Sequence, residues 1–197
     1  MNANSDKRFT LDRCEAVPAL LGNHRDFLIV SGLGGASKDM AALTDDGDNL
    51  FTMAGAMGAA TSIGLGLALA RPDKRVLVVT GDGELLMNVG TLATVGVMNP
   101  GNLTIVCVDN GHYGETGNQL AHSARGVDIE MMAKGAGLRS TVSIDVNDDM
   151  AKGRDVLQDE DNAGFILLRV AEGEPPGGPS RNMDPAACRA RFLAAAG

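Results

Sequence analysis

Two short signals place oxygen donors at the ends of apolar runs: Gly81-Asp82-Gly83 after Arg75–Thr80, and Asp109-Asn110-Gly111 after Leu103–Val108. Asp82 offers a hard carboxylate oxygen and Asn110 a neutral amide oxygen. Two residues on, His112 can add its backbone carbonyl. Carboxylate, amide and carbonyl oxygens are the ligands Mg²⁺ accepts, and diphosphate oxygens would complete an octahedron. Gly81 lets the chain turn sharply, and Gly83 lets its amide approach an anion. The spacing from Asp82 to Asn110 leaves room for one helix and one strand, so the two turns can lie side by side. The chemistry this points to is a divalent metal holding a diphosphate.

Such donors need a rigid frame. The candidate strands are Phe27–Val30, Leu50–Met53, Arg75–Thr80, Leu103–Val108, Thr141–Ile144 and Phe165–Val170. Several are apolar throughout rather than alternating, as strands covered on both faces are. Candidate helices lie between them: Ala36–Leu43, Ala56–Ala70, Leu85–Met98, Ile129–Ala136 and Asp148–Asp159. Arg71-Pro72-Asp73 and Asn99-Pro100-Gly101-Asn102 end two of these helices. The alternation implies an α/β fold: an open, mostly parallel six-stranded sheet with helices on both faces. Residues 1–171 would form the diphosphate- and Mg²⁺-binding domain. Residues 172–197 would be a Pro/Gly-rich arm followed by a short helix, with Asp184 as its cap and Pro185 in its first turn.

Four glycine-rich turns follow strands directly: SGLGGAS, AGAMGAA, GDGELL and DNGHYGETG. In an open parallel sheet they share the carboxyl edge, where ligands bind and helix N-termini favour phosphate. Gly34, Gly35 and Ser37 of the first turn are therefore candidate diphosphate contacts. The same turn partly matches the dinucleotide fingerprint G-x-G-x-x-G/A, but its last position is Ser37.

The formal charge of −8 supplies no positive footprint for nucleic acid. The N-terminus MNANSDKRFT lacks a signal-peptide core, and the Gly/Ala-rich run Ala54–Ala70 is too short for a membrane span. Three scattered cysteines make neither a CxxC pair nor a metal spacing, and the expected location is cytoplasmic. Cys107 falls inside an apolar run, as a small core residue would.

The segment from Gly81 to Gly117, opening with GDG and closing near Asn110, resembles the thiamine-diphosphate-binding motif of thiamine-diphosphate-dependent 2-oxoacid decarboxylases. Asp109 stands where that family often has a first Asn. The upstream TMAGAMGAATSIGLGLALA resembles the family's pyrimidine-cupping segment. The resemblance spans about Arg8 to Val170 and lies nearest the sulfopyruvate and phosphonopyruvate decarboxylases, although Ala59 replaces a frequent His.

It implies thiamine diphosphate and Mg²⁺ as cofactors, with Asp82, Asn110 and His112 on the metal. Gly55 would accept a hydrogen bond from the aminopyrimidine through its carbonyl, and Met57 would wedge under the cofactor. Gly81, Gly83, Glu84 and Tyr113 would lie near the diphosphate, although packing beside the metal turn is the preferred reading for Tyr113. His112, Glu115 and Thr116 are candidate catalytic residues facing an anionic 2-oxoacid, with Gln119 and His122 as further contacts. The family's catalytic glutamate sits on a pyrimidine-binding domain for which this chain has no second sheet. A second polypeptide is therefore expected to supply it, in an α2β2 or larger hetero-oligomer.

Overall fold

The computed structural model describes residues 9–53, 55–179, 182 and 184–197. Six parallel strands form one sheet in the order β2-β1-β3-β4-β8-β7. They are β1 (Leu28–Ser31), β2 (Leu50–Thr52), β3 (Val76–Gly81), β4 (Leu103–Asp109), β7 (Ser140–Ile144) and β8 (Gly164–Arg169). A small antiparallel hairpin, β5 (His112–Tyr113) with β6 (Gln119–Leu120), rises beside the end of β4.

The strands are apolar on both faces because each face has its own core. Ile29, Leu77, Val79, Val106, Val108, Ile166 and Leu168 pack under α1 (Arg13–Leu21), α2 (Gly35–Thr44) and α7 (Met150–Leu157). Val30, Val76, Val78, Ile105, Cys107, Phe165 and Leu167 pack under α3 (Ala60–Ala70), α4 (Asp82–Leu86), α5 (Thr91–Met98) and α6 (Ile129–Gly135). Alternate residues of one strand thus enter opposite cores, as the period-2 geometry requires. Cys107 is fully buried, and all three cysteines are free.

The terminal helix α8 (Pro185–Ala196) starts as expected, with the Asp184 side chain accepting from the Ala186 and Ala187 amides. Phe192 and Ala196 pack on Leu28, Phe51 and Leu67. Arg191 pairs with Asp46 at 3.2 Å. The helix thereby covers the β2 edge, which would otherwise offer unpaired backbone groups. Ser180, Arg181 and Met183 of the expected arm, and the N-terminal residues 1–8, lie outside the described residues.

Three expectations need correction. The single helix expected over Leu85–Met98 is two, interrupted between Leu86 and Thr91. Asn88 sits in the break and donates its side-chain amide to the Gly58 carbonyl at 3.1 Å, a contact to a distant turn. The helix expected from Ala56 begins at Ala60. Helix α1 was not anticipated. Asp12 caps it by accepting from the Cys14 amide, and Ala16, Val17, Leu20 and Leu21 form its buried stripe, despite Pro18 within it. Among the described residues no helix is long and apolar enough to cross a membrane.

Chain order reverses at β1, since the next strand, β2, lies on one side of it and β3 on the other. Such a switch opens a crevice at the carboxyl ends of β1 and β3, where the glycine turns gather.

Candidate functional site

A cleft of about 610 Å³ occupies that crevice. It is lined by Gly34 and Gly35, by Gly81, Asp82, Gly83 and Glu84, by Asn110, His112, Tyr113, Glu115 and Thr116, and by Met57. Ser37 and Gly55 are not in its wall. Ser37 is fully buried, and its hydroxyl donates to the Gly34 carbonyl at 2.9 Å, so it braces the turn from behind. Gly55 is exposed with φ +86°.

Register explains why the two oxygen-bearing turns meet. Gly81 pairs with Val108 across β3 and β4, so Asp82, the first residue past β3, stands beside Asp109, the last residue of β4. Both are buried, at 2% and 0% exposure. Ser123 stands between them, its hydroxyl 3.0 Å from Asp82 Oδ2 and 2.7 Å from Asp109 Oδ1. The Asn110 amide oxygen accepts from the His112 N–H at 3.1 Å, which leaves its second lone pair free.

Burial, and then the Asp109 charge beside it, push the Asp82 carboxyl up to about 7. Burial also raises Asp109, whose Oδ2 has no hydrogen-bond partner; the nearest cation, Arg169, is 3.9 Å away. Two buried carboxyls with too little positive charge between them form an electrostatic deficit that one divalent cation would remove. Among the described residues no three acids, histidines or cysteines cluster as a self-sufficient metal site. One carboxylate and one amide are an incomplete shell of hard oxygens, as expected where a ligand's phosphates supply the rest.

The glycines have a second use that the sequence did not reveal. A Cβ on Gly32 would stand 1.6 Å from a Glu84 carboxylate oxygen, and one on Gly83 would stand 2.2 Å from the Tyr113 ring. On Gly35 it would meet the Arg13 guanidinium at 2.5 Å, and on Gly34 the Glu115 side chain at 3.0 Å. The edge is glycine-rich largely so that the chain's own functional groups can press against the turns.

Glu84 accordingly points inward. It accepts from Thr80 at 3.0 Å, its other oxygen lacks a partner, and burial raises its pKa. Tyr113 packs on Gly83 and bonds His122 Nδ1 at 3.1 Å, which is the packing alternative. His122 itself is exposed and outside the cleft wall.

The candidate catalytic groups are mostly engaged within the chain. His112 Nδ1 lies 2.8 Å from the Asn110 carbonyl, and its Nε2 is 3.7 Å from Glu172. Glu115 pairs with Lys38 at 3.2 Å. Thr116 donates to Gln119 at 3.0 Å within the hairpin turn, so neither reaches freely across the cleft.

Sequence reasoning missed Arg13, Lys38 and the arm residues Glu172–Pro175, all of which line the cleft. Arg13, 6% exposed, holds the buried Asp39 through two bonds of 3.1 and 2.5 Å. Burial raises Asp39 more than the guanidinium lowers it. This pair ties α1 to α2 beneath the Gly34–Gly35 turn, where α2 begins with no side-chain cap on its first amides. Those amides and the end of the helix dipole suit a phosphate.

Met57 is 37% exposed at the cleft mouth, so it is not a core methionine. Met57→Gly is expected to lose most turnover, and Met57→Leu to keep it. The thermal melt of Met57→Leu should stay within a few degrees of the wild type, since that swap nearly conserves volume. A Met57→Gly protein destabilised by roughly 2–5 kcal/mol, the usual cost of a large-to-small core change, would contradict this placement.

Comparison with known proteins gives a consistent picture. The family described as thiamine pyrophosphate enzyme, C-terminal TPP binding domain, matches residues 34–170. Sulfopyruvate decarboxylase subunit beta of Methanocaldococcus jannaschii is 44% identical over 147 residues, covering 75% of this chain and 77% of that protein. Phosphonopyruvate decarboxylase of Streptomyces viridochromogenes is 38% identical over 170 residues, covering 86% of this chain but 42% of that protein. Among solved structures, 2-oxoglutarate:ferredoxin oxidoreductase from Magnetococcus marinus superposes with a TM-score of 0.61 at 20% identity, over 79% of this chain and 59% of that one, a likeness of fold.

Proposed function

This chain belongs to the thiamine pyrophosphate enzymes, whose C-terminal cofactor-binding domain it carries, and on that premise we propose that it is the diphosphate-binding subunit of a two-chain decarboxylase converting sulfopyruvate to sulfoacetaldehyde and CO₂. The observation that carries the site is the pair of turns after β3 and β4. There Asp82 and Asn110 line one cleft and a buried acid pair lacks compensating positive charge. The donor set fits Mg²⁺ and a diphosphate. Asp82, Asn110 and the His112 carbonyl would hold the metal. The α2 amides at Gly34 and Gly35 would face the phosphates, and Met57 would support the ring system at the mouth. When bound, the cofactor supplies the electron sink for decarboxylation. This chain's residues bind it, orient it and keep its charges compensated.

The substrate assignment is supported by the relative whose length this chain largely spans, the beta subunit of a sulfopyruvate decarboxylase. The phosphonopyruvate decarboxylase match favours a second reading in which the substrate carries a phosphonate instead.

The need for a partner chain is supported by charge. No Asp, Glu, Lys or Arg occurs from residue 49 to 70 or from 85 to 108, in a chain with 21% charged residues. Helices α3 and α5 lie in these stretches, yet they expose Ile63, Leu69, Val97 and Met98. Met57 and Met87, 37% and 64% exposed, continue this neutral face to the cleft mouth. Exposed apolar surface without charge marks an interface, and it borders the opening through which a pyrimidine ring would project.

The test is a panel of 2-oxoacids offered to the chain mixed with a pyrimidine-domain partner. The expected outcome is release of CO₂ from sulfopyruvate at a kcat/KM at least tenfold above that for phosphonopyruvate, pyruvate or 2-oxoglutarate. Preference for phosphonopyruvate would establish the second reading, and turnover of none of them would remove both.

A further inference from the structure

The cleft carries more acids than cations. Among the described residues of its wall, Asp82, Glu84, Glu115, Glu172 and Glu174 face only two Lys or Arg side chains, Arg13 and Lys38. Arg13 is committed, since its Nε and Nη2 hold the buried Asp39. Lys38 is held loosely. Its Nζ lies 3.2 Å from Glu115 Oε1, and the two side chains are 40% and 52% exposed. An ammonium has three donors, and this contact uses one.

The pair joins two walls of the cleft. Lys38 stands one turn into α2, where its amide donates to the Gly34 carbonyl at 3.2 Å. Glu115 sits on the short turn Gly114–Thr116, at the tip of the β5-β6 hairpin. Its side chain lies against the start of α2, since a Cβ on Gly34 would meet Glu115 Cγ at 3.0 Å. A carboxylate thus rests beside the cation at the helix end that favours anions. The tip has room to shift: a Cβ on Gly114 would meet nothing within 4 Å.

An exposed ion pair is worth little, because water screens it and two long side chains must be ordered. Lys38 can therefore exchange Glu115 for another anion at small cost. The substrates considered above carry a sulfonate or phosphonate besides the 2-oxoacid carboxylate, and a wall rich in acids repels that group unless a cation meets it. Resting on the function proposed above, we propose that Lys38 is the specificity-determining cation of the cleft: it binds the terminal tetrahedral oxyanion of the 2-oxoacid, and Glu115 holds that place when no substrate is present. A lysine is a point charge with rotatable donors. It selects for a second anion and leaves the choice between sulfur and phosphorus to other groups.

The experiment uses the full chain with its partner chain, thiamine diphosphate and Mg²⁺. The probe is 3-sulfopropanoate, which keeps the carboxylate and the sulfonate but lacks the oxo group and so is not decarboxylated. Calorimetry measures its Kd and, in separate titrations, that of thiamine diphosphate. Lys38→Ala should weaken the probe at least about tenfold, as loss of a hydrogen bond to a charged group does, while thiamine diphosphate binds as in the wild type. Lys38→Arg should keep most of the affinity. Lys38→Met, which retains the apolar stem, serves if the alanine variant does not fold. Glu115→Gln should tighten the probe about two- to fivefold, the scale of an exposed ion pair. In a Lys38→Ala background it should have no effect, because the two residues act as one coupled pair. Unchanged probe affinity in Lys38→Ala would overturn the proposal. So would a loss of cofactor affinity there, which would assign Lys38 to the diphosphate, or a gain from Glu115→Gln that is the same with and without Lys38. A wild-type complex that turns over neither sulfopyruvate nor phosphonopyruvate would instead overturn the function on which the proposal rests.

Discussion

Asp82→Ala and Asn110→Ala are each expected to abolish measurable binding of thiamine diphosphate in the presence of Mg²⁺ and to leave the fold intact. The expected loss exceeds about 100-fold, because an outer-shell change alone costs 10–100-fold at metal sites and these two would be direct ligands. The fold should survive because neither side chain belongs to either core. Asp82 is a net burden to the metal-free protein, since burial and the neighbouring Asp109 hold its pKa near 7. Removing it leaves Asp109 with one fewer like charge nearby, so Asp82→Ala should melt at or above the wild-type temperature. Calorimetric titration of each variant with cofactor and Mg²⁺, alongside a thermal melt, measures both halves. Near-native affinity in either variant would remove the metal assignment. A collapsed melting temperature would mean that the turn is structural first.

The chain by itself is expected to show negligible decarboxylation of any 2-oxoacid, less than about one part in a thousand of the mixture with a partner chain, within the range that a missing general acid costs. Most carboxylates of the cleft wall are already engaged within the chain. Asp82 belongs to the metal turn. Glu84 faces Thr80 and the Gly32 backbone, Glu115 pairs with Lys38, and Glu172 reaches Asn118 and His112. Among the described residues, Glu174 of the arm lines the cleft without a side-chain partner and is the carboxylate to test if the isolated chain proves active. Activity should appear on adding a chain with the pyrimidine-domain pattern and vanish when that chain's glutamate is replaced by alanine. Turnover by the isolated chain at the mixture's rate would contradict this and turn attention to Glu174, and after it to Glu84 and Glu115.

The sheet was legible because most of its strands are apolar throughout, the pattern of a parallel sheet covered on both faces. Asp82 and Asn110 were legible because acid and amide at strand ends are costly unless used. Helix α1 was hidden by Pro18, which reads as a breaker, although the Asp12 cap and the stripe Ala16, Val17, Leu20, Leu21 were there to find. The break between α4 and α5 depends on Asn88 reaching Gly58, a tertiary contact that no local propensity encodes. Ser123 and Arg13 act through residues far away in sequence, and neither sits in a recognisable pattern. The glycines were assigned to ligand approach, whereas Gly32, Gly35 and Gly83 make room for Glu84, Arg13 and Tyr113, side chains whose direction appears only in three dimensions.

The central claim is that metal and diphosphate share the turns at Asp82 and Asn110. Phosphorus magnetic resonance of thiamine diphosphate in the presence of the chain, its partner and Mn²⁺ in place of Mg²⁺ tests it most directly. Mn²⁺ is paramagnetic and shortens the relaxation of any phosphorus within a few bonds. The account predicts strong broadening of both phosphorus signals with the wild-type chain and its loss with Asp82→Ala. Broadening that persists in Asp82→Ala, or two phosphorus signals unaffected by Mn²⁺ in the wild type, would contradict it.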